Sequence, residues 1–311
     1  MYSIEFIISN NLLFYYLKAT RPKQWVKNLI VYAAPIFSGQ FDKNILLNSS
    51  ITFVIFILIS SSIYLLNDVI DYKFDKLHKK KKERPIASGK ISRVNALILS
   101  LILLVNSIVI SIFFNYWIAI TIVLYFLIQI SYCFFLKRIA IIEIFCVSSG
   151  FFLRGLAGVL VNPIELSQWF ILCLFYTALF IIIQKRKTEF FNFSRDGIIT
   201  REVLRGYSTK ILDKFGLIAS NSIIVFYSLW AAGPILNGAK NSAMIITLPL
   251  VLMGVLRYQY LADSEEIIRN NSALPKYISC ERPEDVIFQD KFIKITFAIW
   301  FLISISIIYL T

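Results

Sequence analysis

Asn67-Asp68-Val69-Ile70-Asp71-Tyr72-Lys73-Phe74-Asp75 stands directly behind an uncharged run that spans residues 45–66. At about 1.5 Å per residue, that run is long enough as a helix to cross the roughly 30 Å hydrocarbon layer of a bilayer. Three aspartates then arrive within eight positions. If the helix continues past Leu66, Asp68, Asp71 and Asp75 fall at i, i+3 and i+7 on one face, with Asn67 beside it. Carboxylates so placed repel one another unless a cation lies between them. An all-oxygen ligand set calls for a hard ion, magnesium or calcium, and magnesium characteristically combines one or two protein carboxylates with water and substrate phosphates. The competing reading is a solvated acidic helix end beside a basic loop. It gives no reason for the cluster to sit at the end of a span.

Working outward, the 311-residue chain is 58% hydrophobic with mean hydropathy +0.70, too apolar for a soluble domain of this length. Backbone groups in hydrocarbon must pair within their own segment, so the runs read as helices. We expect an all-α, polytopic single membrane domain over 1–311, a bundle of nine spans near residues 26–39, 45–66, 95–114, 116–136, 140–161, 167–184, 215–235, 243–260 and 292–310. Cytoplasmic active-site loops are expected at about 67–93 and 185–214. Residues 12–28 read as a basic, aromatic helix at the membrane surface, and Met1–Asn11 lack the features of a cleavable signal.

The net charge of +13 raises nucleic acid as a partner, but the charges fall between spans, and membrane topology with anionic ligands explains them better. The N-terminal arm and every second connection carry 4, 9, 2, 8 and 6 Lys or Arg residues. The alternate connections hold only Lys43 and Lys240, and Arg154 lies inside a span. The positive-inside rule places the N-terminus and the charged loops in the cytoplasm and the C-terminus outside, in a plasma membrane. Cys133, Cys146, Cys173 and Cys280 show no paired spacing, and His78 is the single histidine. Neither a disulfide framework nor a zinc site is supported, and multi-histidine metal sites are ruled out.

Four further constellations carry charge. Arg21-Pro22-Lys23-Gln24-Trp25-Val26-Lys27-Asn28 places Lys23 and Lys27 at i, i+4 with Asn28 beside them, a face for phosphate oxygens or else an interfacial anchor. Lys185-Arg186-Lys187-Thr188-Glu189 ends the sixth span, with Lys185 and Glu189 also able to form an ordinary helix pair. Arg154, in Ser148-Ser149-Gly150-Phe151-Phe152-Leu153-Arg154, is costly inside a span and is expected to face a polar cavity, with Glu143 near its mouth. Arg84, held before Pro85 and near Gly89, is a better phosphate ligand than the Lys79–Lys82 run, which suits lipid headgroups. Arg257 and Tyr258 are weaker candidates at the inner end of the eighth span.

These segments, together with Arg84-Pro85-Ile86-Ala87-Ser88-Gly89 and Leu166-Ser167-Gln168-Trp169, resemble the UbiA-type membrane prenyltransferase superfamily. Within it they look like the decaprenyl-phosphate phosphoribosyltransferase branch, in the expected order from residue 18 to about 260. Aromatic-acceptor members usually carry a second aspartate-rich motif after span six. Here Lys185, Arg186 and Glu189 stand in its place, and the nearest Asp is Asp196.

The resemblance implies transfer of 5-phosphoribose from phosphoribosyl pyrophosphate (PRPP) to a polyprenyl phosphate with release of pyrophosphate. Asn67, Asp68, Asp71 and Asp75 would hold Mg²⁺, and Arg84 would offset leaving-group charge. Lys23, Lys27, Asn28, Arg154, Lys185, Arg186, Glu189 and Tyr258 would line the substrate sites. Self-association into a homo-oligomer is compatible with this pattern. The alternatives are prenyl transfer from a prenyl pyrophosphate to an aromatic or lipid acceptor, and a polyprenyl-phosphate carrier or flippase. The carrier needs no metal site confined to one side.

The loop charges generate a first test. A reporter fused to the C-terminus should be active only outside the cytoplasm, and an N-terminal fusion only inside. A cytoplasmic C-terminus would refute both the orientation and the odd span number.

Overall fold

Helix α4 (Arg93–Phe114) is built inside out by soluble-protein standards. Its buried residues are Ala96, Ser100, Ser107 and Ser111, while Leu97, Leu101, Val105, Ile112 and Phe113 are exposed. Lipid solvates the large apolar side chains, so helices gain by approaching through small polar ones. The partner is α2 (Lys43–Ile70). Ser62 Oγ donates to the Ser100 carbonyl at 2.8 Å, and Ser100 Oγ returns a bond to the Ser62 carbonyl at 2.9 Å. Each hydroxyl thereby satisfies itself on the neighbouring backbone.

The same logic runs through the chain in this computed structural model. It describes residues 12–40, 42–77, 81–165, 167–196, 201–270, 280, 286 and 289–310, with backbone alone at 195–196, 264–270 and 310. Among the described residues, eight helices are long and apolar enough to cross a membrane. After α2 come α3 (Tyr72–Leu77), α4, α5 (Tyr116–Phe134), α6 (Ile142–Leu160), α7 (Gln168–Asp196), α8 (Thr209–Ala231), α9 (Leu248–Asn270) and α10 (Lys291–Leu310), following the short α1 (Ala33–Ser38). One apolar core joins α2, α5 and α6. Another joins α7, α8 and α9, and α6 packs between α5 and α7.

The expected first span, 26–39, takes an unusual form. Pro22–Tyr32 is an 11-residue 3₁₀ helix that runs into the 6-residue α1. At about 2.0 Å per 3₁₀ residue and 1.5 Å per α residue, the two reach about 31 Å, so the tighter winding lets a short stretch match the bilayer. With three residues per turn, faces repeat every third residue. Lys23, Val26 and Leu29 are exposed, whereas Asn28 and Val31 are buried. The expectation that Lys23 and Lys27 share a face is therefore corrected, because 3₁₀ winding sets them about 120° apart.

This helix lies close against α6. A Cβ on Gly158 would stand 2.0 Å from the Val31 carbonyl oxygen, so only glycine admits the approach. Further on, α7 runs well past residue 184, which puts Lys185, Arg186 and Glu189 on a rigid helix and not on a loop. The loop after α3 is held by a small plug in which Ile86 and Ile91 pack with Leu65, Ala96 and Ala19. Lys79, Lys80, His78, Leu166 and Met1–Asn11 lie outside the described residues, as does the side chain of Asp196.

Gly158→Ala should force the 3₁₀ helix off α6. We expect a loss of about 1–3 kcal/mol, in the range of overpacked cores, read as a lower Tm of the detergent-purified protein. An unchanged Tm would show that the contact is loose.

Candidate functional site

The helix does continue past Leu66, but it breaks at Asp71. Asp71 caps α2 with φ −84° and ψ 4°, its N–H bonded to the Asn67 carbonyl, and the chain restarts at once as α3. This keeps Asp68 and Asp75 together and turns Asp71 away. Asp68 and Asp75 are each 2% exposed. Arg84 Nη1 donates to Asp68 Oδ1 at 2.9 Å and to Asp75 Oδ2 at 2.7 Å. Arg21 also pairs with Asp68 Oδ1. Asp71 instead accepts from Lys137 Nζ at 2.8 Å. The expectation of three converging carboxylates is thus corrected: among the described residues no three acidic, histidine or cysteine side chains gather to hold a metal.

The pair that remains still suits a hard cation. Two carboxylate oxygens converge on a single nitrogen, so they address one point in space, and magnesium commonly takes only one or two protein carboxylates. Burial raises the Asp75 carboxyl above the usual range. The Arg84 charge opposes that shift and the Asp68 charge adds to it. Opposite them Lys81 is pushed below the ordinary lysine range, first by burial and then by the charges of Arg201 and Arg84, with Asp75 and Asp71 opposing. Lys81 therefore lies within electrostatic reach of both the aspartates and a second cluster.

That second cluster is built across α6 and α7. Glu143, fully buried in the first turn of α6, holds Arg186 bidentately, with Nε to Oε1 at 2.6 Å and Nη2 to Oε2 at 2.7 Å. Arg186 Nη1 reaches Glu189 Oε2 at 2.5 Å. Arg201 Nε stands 3.5 Å from the same Glu189 oxygen, and its Nη1 donates to the Tyr132 hydroxyl at 2.7 Å. Lys185 lies at 4.0 Å from Glu189. Tyr207 fastens the entry to α6. Its hydroxyl accepts from the Ile141 N–H at 2.8 Å and lies 3.5 Å from Glu143. Ile141 sits at φ 69°, ψ −54°, a conformation that a branched residue keeps only where the surroundings enforce it. Burial raises the Tyr207 hydroxyl to about 12, so it stays protonated.

A third group lies deeper. Arg154 Nε donates to Asn28 Oδ1 at 2.6 Å, Nη1 to the Gly150 carbonyl at 2.6 Å and Nη2 to the Tyr125 hydroxyl at 2.9 Å. Its guanidinium also faces the rings of Phe56, Tyr125 and Phe151. Lys27 extends over the other side of this group, 5.9 Å from the Phe151 ring. Asn28 Nδ2 is buried and unpartnered, an open donor next to the arginine.

The structure therefore brings Asp68, Asp75 and Arg84 into one cluster, Lys185, Arg186 and Glu189 into a second, and Lys27, Asn28 and Arg154 into a third. Lys23 is exposed and joins none of them. Tyr258 packs against Phe180 in the core, ring centroids 5.7 Å apart, so its assignment to a substrate site is corrected. Arg186, expected as a phosphate ligand, is 1% exposed and committed to Glu143 and Glu189. Arg21, Lys137, Tyr132, Arg201 and Tyr207 were not singled out as site residues. For Arg21 the sequence carries a signal, since it opens the basic segment that ends at Asn28 and stands directly before Pro22. The others belong to no recognisable motif.

With this geometry in hand, comparisons with known proteins are informative. Residues 29–276 match the model described as the UbiA prenyltransferase family. The decaprenyl-phosphate phosphoribosyltransferase of Mycolicibacterium smegmatis is 33% identical over 294 residues, covering 91% of this chain and 89% of the relative. The enzyme of the same name from Mycobacterium tuberculosis is 31% identical, covering 91% and 90%. A solved UbiA homolog from Archaeoglobus fulgidus, bound to DMAPP and Mg²⁺, superposes with TM-score 0.67 at 17% identity, covering 95% of this chain and 99% of that one. That likeness speaks for the fold.

Removing the Arg186 charge should test whether it is a ligand or a strut. Arg186→Ala leaves Glu143 and Glu189 buried without their partner, so we expect about 3–5 kcal/mol of lost stability, seen as aggregation on size exclusion. Lys185→Ala should elute as the wild type does. A well-folded Arg186→Ala protein would contradict the buried-strut reading.

Proposed function

Because the chain belongs to the UbiA prenyltransferase family, we propose that it is a membrane transferase that moves 5-phosphoribose from PRPP to a polyprenyl phosphate. The observation that carries this reading is the charge of the second cluster. Where an aromatic-acceptor enzyme would place more carboxylates, this chain places Lys185, Arg186 and Arg201 around a single Glu189 and the buried Glu143. A sugar phosphate and a lipid phosphate both add negative charge that a prenyl donor and a neutral aromatic ring do not. Identity of 31–33% over nine-tenths of the chain to enzymes named for this transfer supports the same conclusion.

In this reading a phosphate oxygen of the lipid attacks C1 of the ribose. The new C1–O bond forms as the C1–O bond to pyrophosphate breaks, and the electron pair leaves with pyrophosphate. The attacking oxygen is already ionised at neutral pH, so no strong base is required. Rate enhancement comes from holding two anions in line and from fixed positive charge near the leaving group. Arg84 and Arg21, both on Asp68, are placed at the leaving-group end. Lys27, Asn28 and Arg154 lie deeper along the bundle, where a lipid-borne phosphate arrives. We assign Asp68 and Asp75 to Mg²⁺, which when bound would supply charge neutralisation for the pyrophosphate. The site faces the cytoplasm of the plasma membrane, where a water-soluble donor meets a lipid acceptor.

Purified wild-type protein should convert labelled PRPP and polyprenyl phosphate to a lipid product. Asp75→Asn and Asp68→Asn should each lower kcat/KM by at least about a thousand-fold, or about 4 kcal/mol, while remaining folded on size exclusion. Protein that prenylates 4-hydroxybenzoate and ignores PRPP would overturn the proposal.

A further inference from the structure

Arg201 belongs to none of the sequence motifs, yet the fold assembles a line of alternating charge that ends on it. Glu143 grips Arg186 through two hydrogen bonds, Arg186 grips Glu189, and Glu189 faces Arg201. The first three members are buried, at 0%, 1% and 9% exposure, whereas the Arg201 side chain is 32% exposed. Buried ion pairs of this kind rarely add stability over apolar packing of similar volume, so their retention calls for a role in specificity or positioning. The Tyr132 hydroxyl fixes the other edge of the guanidinium at 2.7 Å. Two neighbours thus orient the planar fork, and because Lys185 also leans on Glu189, three cations face two carboxylates and the cluster keeps a net positive charge.

The position of the fork narrows its ligand. Arg201 follows α7, whose uncharged run ends at Gln184, and its side chain is partly exposed, so it stands at the charged end of the bundle and not at lipid depth. The end of α5 ties this fork to the aspartates: Tyr132 holds Arg201 at 2.7 Å, and Lys137, just beyond the helix, holds Asp71 at 2.8 Å. The charges of Arg201 and Arg84 both act on Lys81, so the three cations share one electrostatic neighbourhood. An anion there relieves their mutual repulsion. Two planar guanidinium groups flanking an ammonium group suit phosphoryl oxygens best, because a guanidinium can bind two of them side by side.

We propose that Arg201 is a phosphoryl-binding residue for the water-soluble donor, and that Glu143, Arg186, Glu189 and Tyr132 are positioning residues that hold it there. The inference rests on the transferase reading above and adds a residue and a substrate end to it. The lipid phosphate, which approaches from the bundle side through Arg154, is not its ligand.

The test uses the full-length protein in detergent. Arg201→Ala should raise the KM for PRPP at least ten-fold and weaken binding of inorganic pyrophosphate, measured by calorimetry, by a similar factor. Both kcat and the KM for polyprenyl phosphate should stay within about three-fold. Arg201→Lys should recover part of the affinity, because a point charge lacks the fork. Tyr132→Phe, which removes one hydroxyl from the fork and leaves the buried ion pairs intact, should raise the KM for PRPP alone. The Tyr132→Phe/Arg201→Ala double variant should be no worse than Arg201→Ala. A changed KM for polyprenyl phosphate with an unchanged KM for PRPP would overturn the assignment to the donor. Unchanged pyrophosphate binding in Arg201→Ala would overturn the inference. Wild-type protein that binds pyrophosphate through Arg201 but transfers no phosphoribose would defeat the transferase reading and leave the phosphoryl site standing.

Discussion

A charged side chain next to hydrocarbon has no bulk water to solvate it, so it must find an opposite charge or a polar partner within the protein. The cytoplasmic end of this bundle is organised by that constraint. Asp68 and Asp75 share Arg84, Asp71 takes Lys137, and Glu143 takes Arg186. Two of these pairs join elements that the chain separates widely: Arg186 lies 43 residues after Glu143, and Lys137 lies 66 after Asp71. The pairs therefore lock α2 and its loop to the turn after α5, and α6 to α7, while the lipid-facing sides need nothing but apolar bulk. The serine-lined contact between α2 and α4 obeys the same rule in a neutral form.

This constraint also explains which parts of the molecule could be read from sequence. Hydropathy is a property of single segments, so the spans from 45 to 310 emerge from the sequence, whereas the charged continuation of α7 to Asp196 lies beyond what hydropathy marks. Asp68, Arg84 and Arg154 stand out because each breaks an apolar or structural pattern locally. Arg201 and Lys137 break none: they are basic residues in basic loops, and their meaning lies in partners that only the tertiary fold supplies. The 3₁₀ winding of Pro22–Tyr32 was hidden for another reason. No local propensity records it, and the close contact it makes through Val31 is with Gly158, more than a hundred residues away. A 3.6-residue period applied there paired Lys23 with Lys27 and so put an exposed lysine into the site.

Arg186 shows how a correct motif can carry a wrong role. Its position after span six is where the resemblance places a functional residue, and charge alone suggested a phosphate ligand. Burial reverses that. A guanidinium at 1% exposure with two carboxylates has no free edge to offer, and its value lies in what it holds. The cationic character that distinguishes this loop from an aspartate-rich one is therefore delivered by residues at its rim, Lys185 and Arg201, with Arg186 as the strut between them.

The two carboxylates of that cluster then have a physical purpose. Without Glu143 and Glu189, Lys185, Arg186 and Arg201 would repel one another strongly. With both carboxylates fully neutralising the cations, an anionic substrate would gain little by entering. Against Lys185, Arg186 and Arg201 the two acids leave a net positive charge of one, and the nearby Lys27 and Lys81 add to it. The cluster is held together without a ligand and still attracts one. An all-acidic loop reaches the same balance only when metal ions supply the positive charge. On the proposed reading, changing the sign of a few side chains on one helix end would exchange a metal-dependent second site for one built from protein cations.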